Sequence, residues 1–204
     1  LRAGWAVACA AAAAMAVVGL AGERTAARGR RLEGEGLMAA AAARYEAAAR
    51  LNLLKSGHAA RAGQLLSLWG LMQGAARESA LARAESDLAE AARRDPGNGS
   101  LAFTRALAAR SAGRWAVADA LFREAMRLDP TKGFYPVVYG RSLLERGDFA
   151  QGAAWLRRGF GLFQEYVAFE STVAGIWRRT GSVGAAAAAV PRTGRHLAAF
   201  AGVL

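Results

Sequence analysis

Two segments of this 204-residue chain decide its fold: SAGRWAVADALFREAMRLDP at 111–130 and ERGDFAQGAAWLRRGFGLFQ at 145–164. When the segments are aligned, Gly113 falls on Gly147 and Trp115 on Phe149, at an offset of 34 residues. The same offset leads forward from Gly147 to Gly181. Self-similarity at a fixed period of this length is typical of stacked structural repeats. We therefore expect an array of similar units.

Each unit follows one residue pattern, with small residues, Gly, an aromatic residue and Pro at fixed places. In the unit at 99–132 the pattern is carried by Gly113, Trp115, Ala118, Phe122, Ala125 and Pro130. In the unit at 133–166 it is carried by Gly140, Gly147, Phe149 and Leu156. This pattern resembles the tetratricopeptide repeat, over roughly residues 36–190. The resemblance implies an all-α solenoid of antiparallel helix pairs, A and B, that forms a right-handed superhelix. Gly152 and Gly159 depart from it, since Ala is usual there.

The composition agrees with an all-α fold and excludes several other classes. The chain contains 53 Ala, 4 Pro and 1 Cys, and 54% of its residues are apolar. Such a chain is too apolar for a disordered segment and too poor in Cys for a disulfide-stabilised module. Strong helix formers outnumber the β-branched residues typical of sheets, which favours helices.

The pattern predicts where helices begin and end. Gly113, Gly147 and Gly181 are expected at the turn between A and B helices, because a left-handed backbone costs little only for Gly. Asp129-Pro130 is expected to end one helix and open the next, and Pro191 to shorten the last B helix. The predicted helices are 3–22, 26–51, 57–75, 79–94, 99–112, 115–128, 135–146, 149–163, 167–179, 183–190 and a short one at 195–203.

The N-terminal segment AGWAVACAAAAAMAVVGLAG at 3–22 carries no charge over twenty residues, which is the length of a membrane span. We predict a transmembrane anchor at 1–22, a basic juxtamembrane linker at 23–35, the solenoid at 36–190 and a C-terminal tail with a short helix at 191–204. Two alternatives remain open for the first segment: a signal peptide cleaved after Ala21, and a buried Ala-rich core helix.

The expected location is a bacterial inner membrane, crossed once. Four basic residues follow the apolar segment directly: Arg24, Arg28, Arg30 and Arg31. Because positive charge accumulates on the cytoplasmic side, this cluster favours a cytoplasmic solenoid. Residues missing upstream of Leu1 could reverse that orientation.

The sequence does not predict catalytic, metal or cofactor sites. His58 and His196 have no Cys, Asp or Glu at metal-ligand spacing, and Cys9 lies inside the apolar segment. The net charge of +11 favours acidic partners. It comes from scattered arginines rather than a basic stripe with interleaved aromatic residues, so we do not expect nucleic-acid binding.

The family resemblance implies that the A helices line a concave groove, with positions 2, 5, 9 and 12 facing it. The groove residues expected in this way are Ser100, Phe103, Leu107, Arg110, Val137, Arg141, Leu144, Ser171 and Arg178. A groove that mixes arginines with apolar side chains suits an extended or helical peptide bearing acidic groups.

The leading hypothesis is therefore a non-catalytic, membrane-anchored scaffold or assembly factor that binds a protein or peptide. Two alternatives remain. The chain also resembles the C-terminal tail, with its last transmembrane helix, of O-antigen ligase or polymerase-type membrane glycosyltransferases, in which case it would belong to an enzyme. A solenoid secreted after cleavage of the first segment is the other.

Overall fold

The computed structural model describes residues 2–52, 55–72, 77–162 and 168–203. These residues form helices and no strand, which confirms the all-α prediction. The helices are α1 (Arg2–Gly34), α2 (Met38–Leu51), α3 (Ser56–Met72), α4 (Arg77–Arg94), α5 (Gly99–Ser111), α6 (Trp115–Leu128), α7 (Phe134–Glu145), α8 (Phe149–Leu162), α9 (Phe169–Thr180), α10 (Val183–Ala187) and α11 (Gly194–Ala201).

The N-terminal part of the chain differs from the sequence prediction. Separate helices at 3–22 and 26–51 are wrong, because α1 runs without a break to Gly34 and the chain turns at Gly36. The predicted linker at 23–35 is accordingly helical almost throughout. Ala, Arg, Glu and Leu, which make up most of this stretch, are strong helix formers, and the helix continues through Gly29 to Gly34.

The turns between paired helices share a glycine with a left-handed backbone. Gly36, Gly113, Gly147 and Gly181 have φ of 77°, 73°, 85° and 65°. After Gly113 the amide of Arg114 donates to the carbonyl of Ala109 at 2.9 Å, and Asp148 donates to Leu143 at 3.0 Å in the same way. This bond closes a Schellman motif, which needs a left-handed residue that only Gly adopts cheaply. The three turn glycines expected from the repeat are confirmed.

Pro130 and Pro191 follow helix ends as predicted, but Pro130 does not open the next helix. Pro130 lies in the turn after α6, and α7 begins only at Phe134, so Pro130 does not open that helix. Helix α10 ends at Ala187 instead of reaching residue 190, because a helix continued to Pro191 would bring the proline ring against the carbonyl of Ala187 and leave that carbonyl without an N–H donor. Its last turn tightens, with Val190 donating to the carbonyl of Ala187 at 3.1 Å.

The chain divides into two compact units, residues 1–118 and 119–204. In the first unit α1 packs on α2, α2 on α3 and α3 on α4. Its core consists largely of alanines around Tyr45, Leu65 and Leu66, which are at most 4% exposed. In the second unit α7 packs on α8 and α9 on α10. Its core contains Leu156, Phe160 and Ile176, at most 1% exposed.

Two clusters of polar contacts fix α1 to α3 and to the residues before it. The Glu23 carboxylate accepts hydrogen bonds from Lys55 Nζ at 2.7 Å and lies 3.2 Å from His58 Nε2. Ten residues later, Glu33 pairs with Arg61 and accepts a hydrogen bond from the Tyr45 hydroxyl at 3.1 Å. The C-terminal half of α1 therefore serves as the A helix of the first repeat.

The described side chains in the N-terminal half of α1 have no such packing. Trp5, Met15, Val17 and Leu20 are 71%, 67%, 68% and 55% exposed. Among the residues that the structure describes, no helix combines the length and hydropathy needed to cross a membrane. The predicted transmembrane helix is thus not confirmed.

Helices α7 and α8 approach so closely that three positions have no room for a methyl group. A Cβ on Gly140 would lie 2.8 Å from the carbonyl oxygen of Gly152, and one on Gly152 would lie 2.7 Å from Leu144 Cδ2. A Cβ on Gly159 would lie 2.8 Å from the backbone nitrogen of Val137. These distances explain why Gly replaces the usual Ala at positions 152 and 159.

Gly159→Ala should destabilise the protein by about 1–3 kcal/mol, the usual cost of forcing an extra carbon into a packed core. Its added methyl group meets backbone as well as the side chain of Val137, so the helices must separate. Urea unfolding followed by circular dichroism measures the change.

Gly175→Ala is the matched control, since it lies inside α9 and a Cβ there meets nothing within 4 Å. Replacing this Gly should raise stability by ~0.5–1 kcal/mol through helix propensity. Equal effects of the two substitutions would contradict the close approach of α7 and α8.

Candidate functional site

The structure separates the nine predicted groove residues into exposed and buried ones. Ser100, Arg141, Ser171 and Arg178 are exposed, while Leu107 and Arg110 are half-buried. Phe103, Val137 and Leu144 are only 7%, 0% and 8% exposed. Helices α5 and α7 are buried around most of their circumference, so Phe103 and Val137 pack inside the protein instead of facing an open groove.

Three of the predicted residues meet at one pocket in the second unit. This pocket, of about 210 Å³, lies between α7 and α9. Its lining contains Arg141, Leu144 and Ser171 from the prediction, together with Glu145, Ala168, Thr172, Gly175, Ile176 and Arg179. We call it the α7–α9 pocket. Leu144 and Ile176 give it an apolar base, and Arg141, Glu145 and Arg179 supply its charges.

The structure places the two arginines of a neighbouring pair, Arg178 and Arg179, differently. Arg179 lines the α7–α9 pocket, whereas Arg178 is exposed on α9 outside the lining. Ser171, Gly175 and Arg179 follow one another at intervals of four, which places them on one face of a helix. That spacing, counted from Ser171, was the signal that could have identified Arg179.

The backbone of α7 helps to orient Arg179. Arg179 Nη1 lies 3.5 Å from the carbonyl oxygen of Leu144, in the last turn of α7. The last carbonyls of a helix lack partners within the helix and carry partial negative charge. The guanidinium is therefore held at the end of α7, beside the apolar base of the pocket.

A second cleft, of about 870 Å³, lies in the first unit. One wall is a stripe of α4, and the other is the turn between α5 and α6: the lining residues are Glu78, Leu81, Ala82, Glu85 and residues 110–115. Arg114 Nη1 and Glu85 Oε1 form an ion pair at 2.6 Å across it. The predicted groove residue Arg110 lines this cleft, which mixes acidic and basic groups.

Both histidines have structural partners. His58 contacts Glu23 as described above, and His196 Nδ1 lies 2.7 Å from Thr193 Oγ1. The His196 ring also packs edge-on against Phe169, with ring centroids 5.2 Å apart. Within the described ranges, no group of three or more His, Cys, Asp or Glu side chains could hold a metal ion.

One carboxyl group has a strongly shifted pKa, and it lies outside both pockets. Burial, followed by the neighbouring charge of Glu46, raises the pKa of Asp87 to about 6. Glu46 is itself paired with Arg83 at 2.6 Å. Asp87 Oδ2 is buried and has no hydrogen-bond partner among the described residues. A perturbed pKa suggests catalysis when the group lies in a cleft. Asp87 lies on α4 beside Glu46 of α2 and lines neither pocket, so its shift does not indicate a catalytic role.

Asp87→Asn should stabilise the protein at pH 7.5 by about 1 kcal/mol, because it removes a carboxylate whose charge is disfavoured by burial and only partly screened by solvent. The folded state binds the Asp87 proton more tightly than the unfolded state, so this residue contributes stability as the pH falls from about 7 to about 4. At pH 4.5 Asp87 is largely protonated, and the difference between the variant and the original protein should shrink. Thermal unfolding at both pH values measures it.

Glu78→Gln, on the same helix but exposed, is the control and should change the stability at pH 7.5 by less than Asp87→Asn does. A stabilisation by Asp87→Asn that is independent of pH would show that the buried charge is not its cause.

Comparison with known proteins gives a fold but no family. No protein-family model matches the sequence, and no curated protein matches it. Solved structures do match. One titled "MamA RS-1 ArsTM double mutant" has a TM-score of 0.65 at 12% identity and covers 89% of this chain and 93% of its own. "Crystal structure of MamA" gives 0.64 at 10%, covering 86% and 93%. "Crystal structure of MamA protein" gives 0.66 at 10%, covering 89% and 91%.

At such low identity the similarity shows the fold alone. It supports a tetratricopeptide-like arrangement of helix pairs, as the repeat pattern predicted. The matched structures lend no support to the glycosyltransferase-tail alternative.

Proposed function

We propose that this protein is a non-catalytic scaffold that binds an acidic segment of a partner protein at the α7–α9 pocket. The observation that carries the proposal is the pairing of two arginines, Arg141 and Arg179, with an apolar base in a single pocket. Binding sites are typically apolar hollows in which a few polar groups fix the orientation of the ligand.

The lining holds two arginines against one acidic residue, Glu145, so its net positive charge favours a carboxylate next to an aliphatic side chain. A guanidinium binds carboxylates through charge-assisted hydrogen bonds, which are stronger than neutral ones. Leu144 and Ile176 offer apolar surface beside it. The volume of about 210 Å³ accommodates a side chain or two but not a whole helix, so the partner presents an extended segment or a helix edge. The net charge of +11 adds long-range attraction for an acidic partner.

The test uses a fluorescent peptide that alternates Glu and Leu, and a second peptide with Lys in place of Glu. Fluorescence anisotropy should detect binding of the acidic peptide only, and binding should weaken as salt rises. Replacing both Arg141 and Arg179 by Ala should raise its Kd at least tenfold, since each charge-assisted hydrogen bond contributes ~1.5–3 kcal/mol.

Arg178→Ala is the matched control, because this arginine neighbours Arg179 in sequence but lies outside the pocket lining. It should leave the Kd within about twofold, an effect typical of rim charges. If Arg178→Ala weakens binding as much as the double variant, or if the Lys peptide binds equally well, the proposed site is wrong.

We further propose that residues 3–22 attach the protein to a bilayer, a bacterial inner membrane with the solenoid on the cytoplasmic side. The support is the exposure of α1: its described side chains from Trp5 to Leu20 are apolar and uncovered. A helix that is apolar all round is normally buried in protein or lipid. Arg24, Arg28, Arg30 and Arg31 follow it, which favours the cytoplasmic orientation.

Membrane attachment is tested by expressing the chain in bacteria and extracting the membranes with alkaline carbonate. The original protein should stay with the membranes, and Val17→Arg should release most of it, because a charge inside the bilayer costs ~2.5–3.5 kcal/mol. Val17 is exposed, so the substitution leaves the packing intact.

Val117→Arg is the control, since Val117 is also exposed, at 45%, but lies on α6. It should leave the protein in the membrane fraction. Release of the original protein as complete as that of Val17→Arg would contradict the attachment.

A further inference from the structure

The half of α1 that packs in the first repeat carries basic side chains on the opposite face. Gly22, Ala26 and Gly29 face α2: Ala26 is fully buried, and a Cβ on Gly22 or Gly29 would lie 3.2 Å from Asn52 or Tyr45. Two residues beyond each of them stands an exposed arginine: Arg24, Arg28 and Arg31. Two residues correspond to about 200° around a helix, so these arginines point away from the packed face.

The face that carries these arginines cannot rotate towards α2, because α1 is held by side-chain contacts at two positions along its axis. Glu23 bonds Lys55 near the start of the packed half, and Glu33 bonds Tyr45 near its end. Contacts that are ten residues apart fix the rotation of the helix about its own axis. The three arginines thus form a fixed line, which we call the α1 arginine stripe.

The members of the α1 arginine stripe differ in their partners. Arg31 Nε bonds Glu35 Oε1 at 3.0 Å, so part of its charge is compensated. Arg24 and Arg28 form no ion pair with any residue that the structure describes. Within the stripe, the two members next to the exposed apolar half of α1 are thus the ones without an ion pair among the described residues.

We propose that Arg24 and Arg28 bind the phosphates of anionic lipid headgroups. This inference rests on the proposed membrane attachment. At 1.5 Å per residue, Arg24 lies about 6 Å beyond Leu20 along the helix, Arg28 about 12 Å and Arg31 about 16 Å. The headgroup layer adds roughly 5–8 Å to each side of the hydrocarbon core. Arg24 therefore falls within that layer, Arg28 falls within a Debye length of it, and Arg31 lies farthest away.

A bilayer explains both features of α1 with one partner. Lipid covers the apolar side chains up to Leu20, and its phosphates meet the charges that follow. A nucleic acid would meet the arginines but leave the apolar half exposed to water. The continuity of the helix from Arg2 to Gly34 places the two surfaces in line, which is the order of layers found in a membrane.

The experiment uses the full chain, purified in detergent and mixed with vesicles of phosphatidylcholine alone or with phosphatidylglycerol, followed by flotation. We expect the partition coefficient to be higher on the anionic vesicles. Arg24→Gln should lower it there about fivefold, which corresponds to ~1 kcal/mol for one arginine at an anionic surface. Arg28→Gln should lower it less, and neither variant should change partitioning into phosphatidylcholine alone.

Arg44→Gln is the control, because Arg44 is an exposed arginine on α2 rather than on α1, and it should behave as the original protein. Equal partitioning of the original protein into both kinds of vesicle overturns the lipid role of the stripe while leaving the membrane attachment intact. Failure to float with either kind overturns the attachment itself. A gel shift of double-stranded DNA that Arg24→Gln abolishes, together with unchanged flotation of that variant, would assign the stripe to nucleic acid and also overturn the proposal.

Discussion

The close approach of α7 and α8 is the constraint on which the second unit depends. Gly140, Gly152 and Gly159 let two backbones lie where even a methyl group would collide. One of those collisions would be with Leu144, the residue that forms the base of the α7–α9 pocket. Leu144 therefore belongs both to the contact between α7 and α8 and to the lining of the α7–α9 pocket. A substitution that separates these two helices would be expected to shift that side chain as well.

In the first unit, the two halves of a single helix, α1, have different surroundings. The C-terminal half of α1 buries small residues against α2 and fixes its rotation through Glu23 and Glu33. The N-terminal half leaves apolar side chains uncovered. Alanine suits both halves: it is the best helix former, it allows close helix contacts, and it is only weakly apolar. Alanine therefore allows close packing in the C-terminal half of α1 and forms an uncovered apolar surface in the N-terminal half.

The sequence predicted the turns of the repeat well and the details of packing poorly. Gly113, Gly147 and Gly181 were identifiable because a positive φ demands glycine locally, whatever surrounds it. Pro191 was informative for a reason that is also local, because its ring and its missing N–H disfavour a helix that runs up to it. By contrast, Gly152 looked like a departure from the pattern, because a spacing does not reveal the distance between two helix axes. A repeat position is also a coarser guide than helical periodicity, so it pointed to Arg178 and not to its neighbour Arg179 in the pocket lining. The raised pKa of Asp87 comes first from burial and then from the charge of Glu46 on α2, and neither can be read from the repeat pattern.

The unbroken path of α1 has a mechanical consequence. No proline or turn separates the exposed segment from the first packed repeat, so the two share one axis and act as a stiff rod. A flexible tether would let a bound domain tumble and sweep a wide volume. A rod restricts it to rotation about the axis and a narrow cone of tilt. Any surface that binds the exposed end would therefore also fix the orientation of the helices packed on α1. The entropy cost of orienting them would be paid at that step, before a partner binds.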